Sequence, residues 1–164
     1  MIDIDDIRDW FAQELRYKME DEGMKPSDLA RYCEIGPTNV NNYLQGNSFP
    51  SPWVLAKMAD LFCCTVNDLL DFDEADEDSL VDYDLKAMFE DEEEFTMHIR
   101  NRLELCMLDN RINVYDLSEM TGFNPYTLKR WLGKLRSAPT LIRTSDLLKL
   151  CDALGCTPSD LLGY

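Results

Sequence analysis

The residues of this 164-residue chain whose types could do chemistry are six cysteines, one histidine, a run of carboxylates and a cluster of cations. Cys33, Cys63, Cys64, Cys106, Cys151 and Cys156 contain no Cys-x-x-Cys pair, and His98 stands alone. A structural zinc site wants paired Cys or His ligands at short spacing. The spacing therefore predicts no metal and no cofactor, with reduced thiols serving as small core hydrophobes. General acid–base catalysis most often uses His, and His98 has no evident partner. Gly-rich phosphate loops and nucleophile elbows are missing from the sequence. An enzyme is not expected, and no residue is given a catalytic role. Lys129, Arg130, Lys134, Arg136 and Arg143 remain, with Tyr126 and Trp131 among them. Such cations can neutralise phosphates.

Internal repetition supplies the elements that must position these cations. Leu15–Gly46 aligns without gaps to Leu103–Lys134 at an offset of 88, with seven identities that include Asp28/Asp116, Leu29/Leu117 and Pro37/Pro125. Ile35/Phe123, Val40/Leu128 and Tyr43/Trp131 are conservative pairs at expected core positions. LAKMADLFCCTVNDLL (55–70) aligns to LLKLCDALGCTPSDLL (147–162) at an offset of 92, with eight identities. The second repeat thus carries four extra residues within GKLRSAPTLIRTS. Two copies this long are tandem domains rather than a solenoid: residues 1–72, a linker at 73–94, and residues 95–164.

Each repeat reads as five short helices, and no segment alternates as a strand does. In the first repeat Trp10, Phe11, Leu15 and Met19 mark a helix over 4–22, ended by Gly23. Helices follow over 27–33 and 37–45, then from Ser51-Pro52, an N-cap with proline behind it, to Phe62, and over 67–71. The second repeat gives 95–110, 114–121, 125–133, 146–154 and 158–162, with Asn113 and Ser145 as expected N-caps. The fold class is all-α. The acidic linker has a partial apolar stripe (Leu80, Val81, Leu85, Met88, Phe89) and reads as a spacer that is part helical.

Helices two and three of each repeat form a helix-turn-helix. Leu29, Ala30, Ile35, Val40 and Tyr43 lock their crossing in the first repeat. Leu117, Ser118, Phe123, Leu128 and Trp131 do so in the second. The start of helix three then projects outward, where it can enter a major groove about 12 Å wide. Both repeats resemble the Cro and lambda-repressor (XRE-type) superfamily on Leu29-Ala30, Val40, Leu44-x-Gly46, Pro50, Leu55, Ala59 and Leu69-Leu70. The resemblance implies a five-helix domain whose third helix reads DNA. Carried over by position, the base contacts fall on Pro37, Thr38, Asn41 and Asn42, and on Asn124, Tyr126, Lys129 and Arg130. The repeats depart from the family where its frequent Gln at the start of helix two is replaced by Pro26 and Val114. The turn Gly is kept as Gly122 but becomes Glu34, a carboxylate that would repel phosphates.

Charge separates the repeats. The chain carries net −16, which on its face argues against DNA. Residues 1–72 hold −7, residues 73–94 hold −11 and residues 95–164 hold +2. The resemblance and this division together imply a sequence-specific DNA-binding transcriptional regulator of bacterial, phage or mobile-element type. Double-stranded DNA is its expected partner, gripped in the major groove mostly by the second repeat, with Lys134, Arg136 and Arg143 adding positive charge. Two tandem units can imitate the half-sites a dimer supplies. The alternative is an adaptor that binds a basic protein through the first repeat and the linker by imitating DNA charge. The N-terminus does not read as a secretory signal and no apolar run spans a membrane. The expected location is therefore the cytoplasm, on the nucleoid when DNA is bound. A homodimer through exposed apolar residues stays open. The linker, tethered beside the cations of the second repeat, can compete with DNA. A fragment of residues 95–164 is accordingly expected to bind DNA more tightly than the whole chain at low salt; equal affinities would contradict that competition.

Overall fold

The computed structural model describes residues 2–72, 89–135 and 141–162. Among them lie ten helices and no strand. The first repeat contributes α1 (Ile4–Asp21), α2 (Pro26–Cys33), α3 (Pro37–Leu44), α4 (Pro52–Leu61) and α5 (Val66–Leu70). The second contributes α6 (Glu92–Asp109), α7 (Val114–Thr121), α8 (Pro125–Trp131), α9 (Thr144–Leu154) and α10 (Pro158–Leu162). The linker stripe from Leu80 to Met88 lies outside the described residues.

The same local chemistry starts corresponding helices. Residues 25, 113, 65 and 157 each stand three before an Asp whose carboxylate accepts their backbone N–H, at 3.0, 3.1, 3.0 and 2.8 Å. Such boxes satisfy orphan amides at a helix N-terminus. Ser51 caps α4 as expected, accepting from Val54 N at 3.3 Å. Ser145 does not cap α9. That helix begins one residue earlier, and Thr144 turns its hydroxyl across the molecule to donate to Pro50 O at 2.5 Å in a buried site.

Helix ends repeat even where the residues differ. Left-handed backbone occurs at the aligned pairs Gly23 (φ +60°) and Arg111 (+55°), Glu34 (+58°) and Gly122 (+79°), and Cys63 (+51°) and Gly155 (+65°). In each pair one repeat keeps the glycine that tolerates this region, while the other accepts a strain of about 1–2 kcal/mol. The tertiary fold therefore imposes the turn, and the residue type follows only where it can.

In the core, Phe11, Leu15, Leu29, Val40, Leu55, Met58, Leu69 and Leu70 are fully buried in the first repeat. Leu103, Leu117, Leu128, Leu147, Leu150, Leu161 and Leu162 are fully buried at equivalent positions in the second. Trp10 is 40% exposed, one helical step off the buried Phe11–Leu15 stripe. Cys33 and Cys151 are buried, Cys63 is exposed, and Cys64, Cys106 and Cys156 are half-buried; all six are free thiols. Burial pushes the Cys33 thiol up to about 11 and that of Cys64 to about 12, which keeps them protonated and unreactive. His98 is half-buried. Its ring lies 5.0 Å from that of Phe89, its Nε2 is buried with no hydrogen-bond partner, and burial lowers its pKa.

The repeats pack on each other through equivalent helices, α5 against α10. Asn67 N donates to Ser159 Oγ at 3.0 Å, and Ser159 N donates to Asn67 Oδ1 at 2.9 Å. These residues are aligned partners in the repeat, so the pair is the signature of a two-fold contact between like surfaces. Trp53 of α4 reaches Phe95 of α6, ring centroids 5.2 Å apart, and extends the contact. Replacing Asn67 by Ala leaves the Ser159 amide without its carbonyl partner in a half-buried site. We expect a loss of about 1–3 kcal/mol, read as a lower midpoint in urea unfolding; an unchanged midpoint would show that this contact does not hold the repeats together.

Candidate nucleic-acid interface

The second repeat builds its outward helix from a fixed turn. Asn113 starts α7 by accepting from Tyr115 N at 2.8 Å and Asp116 N at 2.9 Å. Gly122 ends α7 in left-handed conformation, and Ser118 Oγ donates to Phe123 O at 2.6 Å across the turn. Phe123, half-buried rather than fully buried, meets Trp131 edge to face at 5.0 Å. Leu128 and Trp131 sink into the core. Three residues apart on a helix, they define one buried face. Trp131 is thus a core residue like its counterpart Tyr43, 5% and 7% exposed respectively.

What α8 presents outward is Tyr126, Lys129 and Arg130. Tyr126 is exposed, while Lys129 and Arg130 are half-buried, with the Nε of Arg130 wholly covered. Lys129 Nζ donates to Tyr115 Oη at 3.3 Å and sits 5.2 Å from the centre of the same ring. Tyr115 escaped the sequence reading, although it occupies the first turn of α7 beside the replaced Gln position. It is an exposed aromatic that holds the ammonium in a fixed place, a cation–π contact whose strength at such a site is about 0.5–1 kcal/mol. Asn124 has a different task from base contact: its Oδ1 accepts from Tyr126 N at 2.8 Å and caps α8. Its amide oxygen is therefore occupied, and bidentate pairing with adenine, which needs both amide atoms, would give up the cap.

The remaining cations are less concentrated. Lys134 lies 3.8 Å from Glu104 of α6, and Arg143 stands at the start of α9 with its side chain 3.4 Å from Asp146. Both pairs are exposed on at least one side, so each contributes little stability and can exchange for phosphate. Arg136 lies outside the described residues.

The first repeat presents a neutral surface in the same place. Thr38 and Asn41 are exposed and Asn42 is half-buried, at positions equivalent to Tyr126, Lys129 and Arg130. Two of its arginines are used internally. Arg8 Nε donates to Gly46 O at 2.9 Å, and Arg16 Nη2 to Leu44 O at 2.8 Å. Both satisfy carbonyls at the C-terminal end of α3, the end where positive charge is favourable. Glu34 is exposed but not unbalanced: Lys57 Nζ lies 3.2 Å from its carboxylate. No group of His, Cys, Asp or Glu among the described residues is placed to hold a metal ion. No described helix is long and apolar enough to cross a membrane.

A family model described as a Cro/C1-type helix-turn-helix DNA-binding domain matches the chain twice, over residues 14–75 and 102–164. No curated protein and no solved structure matches the chain. The turn that aims α8 is open to direct test. A Cβ at Gly122 would meet no atom within 4 Å, so Gly122→Ala tests conformation without a clash. We expect a loss of about 1 kcal/mol in thermal unfolding, with a smaller loss for Gly122→Asn; equal stability of the alanine variant and the parent would contradict the fixed turn.

Proposed function

The chain belongs to the Cro/C1-type helix-turn-helix DNA-binding family, and from that premise we propose that it regulates transcription as a single-chain reader of two unequal half-sites. DNA binding is what the family does; the division of labour is the inference. The observation that carries it is the contrast between α3 and α8 at equivalent positions: Thr38, Asn41 and Asn42 against Tyr126, Lys129 and Arg130. Lys129 and Arg130 supply phosphate contact or bidentate hydrogen bonds to guanine. Lys134, Arg136 and Arg143 add to the positive field next to them, and Tyr126 with Tyr115 gives aromatic edges to sugar and base. Asn124 keeps its cap and contributes an amide N–H. The first repeat, with Asn41 and Asn42, suits adenine and adds little counterion release.

The α5–α10 contact supports a two-headed reader. Dimers of this kind of fold set two recognition helices one DNA turn apart through a two-fold interface. Here the interface joins two halves of one chain, so no second molecule is required to complete it. Because the halves differ, the preferred operator is asymmetric, with the tighter half under the second repeat. The acidic linker discourages non-specific binding by competing for the same cations.

The test is a selection from random duplex DNA followed by titration of the whole chain across salt. A double variant, Lys129→Glu with Arg130→Glu, should lose at least about tenfold in affinity and flatten the salt dependence by roughly one unit of slope per phosphate contact removed. Asn41→Ala should instead alter preference within one half-site and leave the slope unchanged. Retention of full affinity by the double variant would overturn the assignment of the second repeat. Failure to select any duplex, with capture of a basic protein instead, would favour the adaptor.

A further inference from the structure

A cavity of about 290 Å³ lies away from α8, between α2, α4 and the residues that lead into α6. Its size is at the lower limit of small-molecule sites. Three aromatic side chains, Tyr32, Trp53 and Phe89, form walls, and three carboxylates, Glu34, Asp60 and Glu90, open onto it. Among the described residues that line it, Lys57 is the one cation. It already shows how the walls treat positive charge: its Nζ lies 5.3 Å from the centre of the Trp53 ring and 3.2 Å from Glu34.

We propose that this cavity binds a small organic cation bearing a guanidinium or primary ammonium group. Lys57 neutralises Glu34, which leaves Asp60 and Glu90 to face a ligand. Asp60 is held in place by the Tyr32 hydroxyl, which donates to Oδ2 at 3.3 Å. Aromatic faces beside carboxylates favour cations over anions and neutral molecules, because ring quadrupole and charge act in the same direction. An apolar stem would lie along Phe89, which is buried and packs on Phe95 at 5.3 Å. Phe95 of the second repeat in turn touches Trp53, so walls from the first repeat and the end of the linker are backed by the second repeat and hold their shape only while the repeats are docked. The proposal does not rest on the DNA reading, although Tyr32 and Glu34 belong to α2 and the turn of the first helix-turn-helix.

Calorimetric titration of the whole chain at about 0.15 M salt tests it. The probes are agmatine, cadaverine and, as a neutral isostere, 1-pentanol. We expect saturable one-to-one binding of a cation with a dissociation constant of order 0.1–1 mM, and none of the alcohol. Asp60→Asn and Glu90→Gln should each weaken it about five- to tenfold, while Asp5→Asn, which removes an acid elsewhere, should leave it unchanged. Glu90 is exposed, so its variant reports on the site without threatening the fold. Nα-acetylarginine amide separates the sources: preference for it over agmatine assigns the site to a basic side chain of a polypeptide, and the reverse to a free amine. No saturable binding of any cation, or equal weakening by the Asp5 variant, would overturn the proposal.

Discussion

The contact between α5 and α10 is the constraint on which the rest depends. Each is a five-residue helix, far too short to persist alone in water. Each is capped at its N-terminus by a Thr-x-x-Asp box and buries two consecutive leucines, Leu69-Leu70 and Leu161-Leu162. The reciprocal hydrogen bonds of Asn67 and Ser159 pair polar groups that burial would otherwise strand. Because the partners are aligned residues, the contact sets the two repeats in a two-fold relation rather than an arbitrary one. Thr144 with Pro50 and Trp53 with Phe95 extend it on one side. Separating the repeats would expose apolar surface from both. For this reason a fragment of the second repeat loses more than the linker, and competition by the linker is better isolated in the whole chain by neutralising its carboxylates.

On that common frame the repeats differ at the surface and in how they close the end of the outward helix. In the first repeat Arg8 and Arg16 close the end of α3. In the second, the position of Arg16 is occupied by Glu104, which draws Lys134 towards α6 instead. The first repeat has Asn41 and Asn42 where the second has Lys129 and Arg130 on α8. Net charge of −16 hides this, since most of it lies in residues 73–94.

Much of this was legible in the sequence. The repeats, the helix sequence and the caps at Ser51 and Asn113 follow from spacing and local chemistry, which act within a few residues. Trp131 was read as core through Tyr43, and it is. Two features escaped because they depend on distant partners. Ser145 has the right chemistry for a cap, yet Thr144 starts the helix because its hydroxyl finds Pro50 across the molecule. Tyr115 becomes meaningful only once α7 and α8 cross and bring it to Lys129. The Asn67–Ser159 pair was present in the alignment as an aligned polar pair among leucines, a signal of like surfaces in contact that spacing within one repeat does not reveal.

The central claim is that one chain presents two recognition helices to one operator. Hydroxyl-radical footprinting on a selected duplex, with the binding stoichiometry measured on the same complex, tests it most directly. The account predicts one chain per operator and two protected patches on the same face of the duplex, centred about one helical turn apart. The deeper protection should lie under the second repeat. A single protected patch from one chain, or protection that requires two chains, would contradict it.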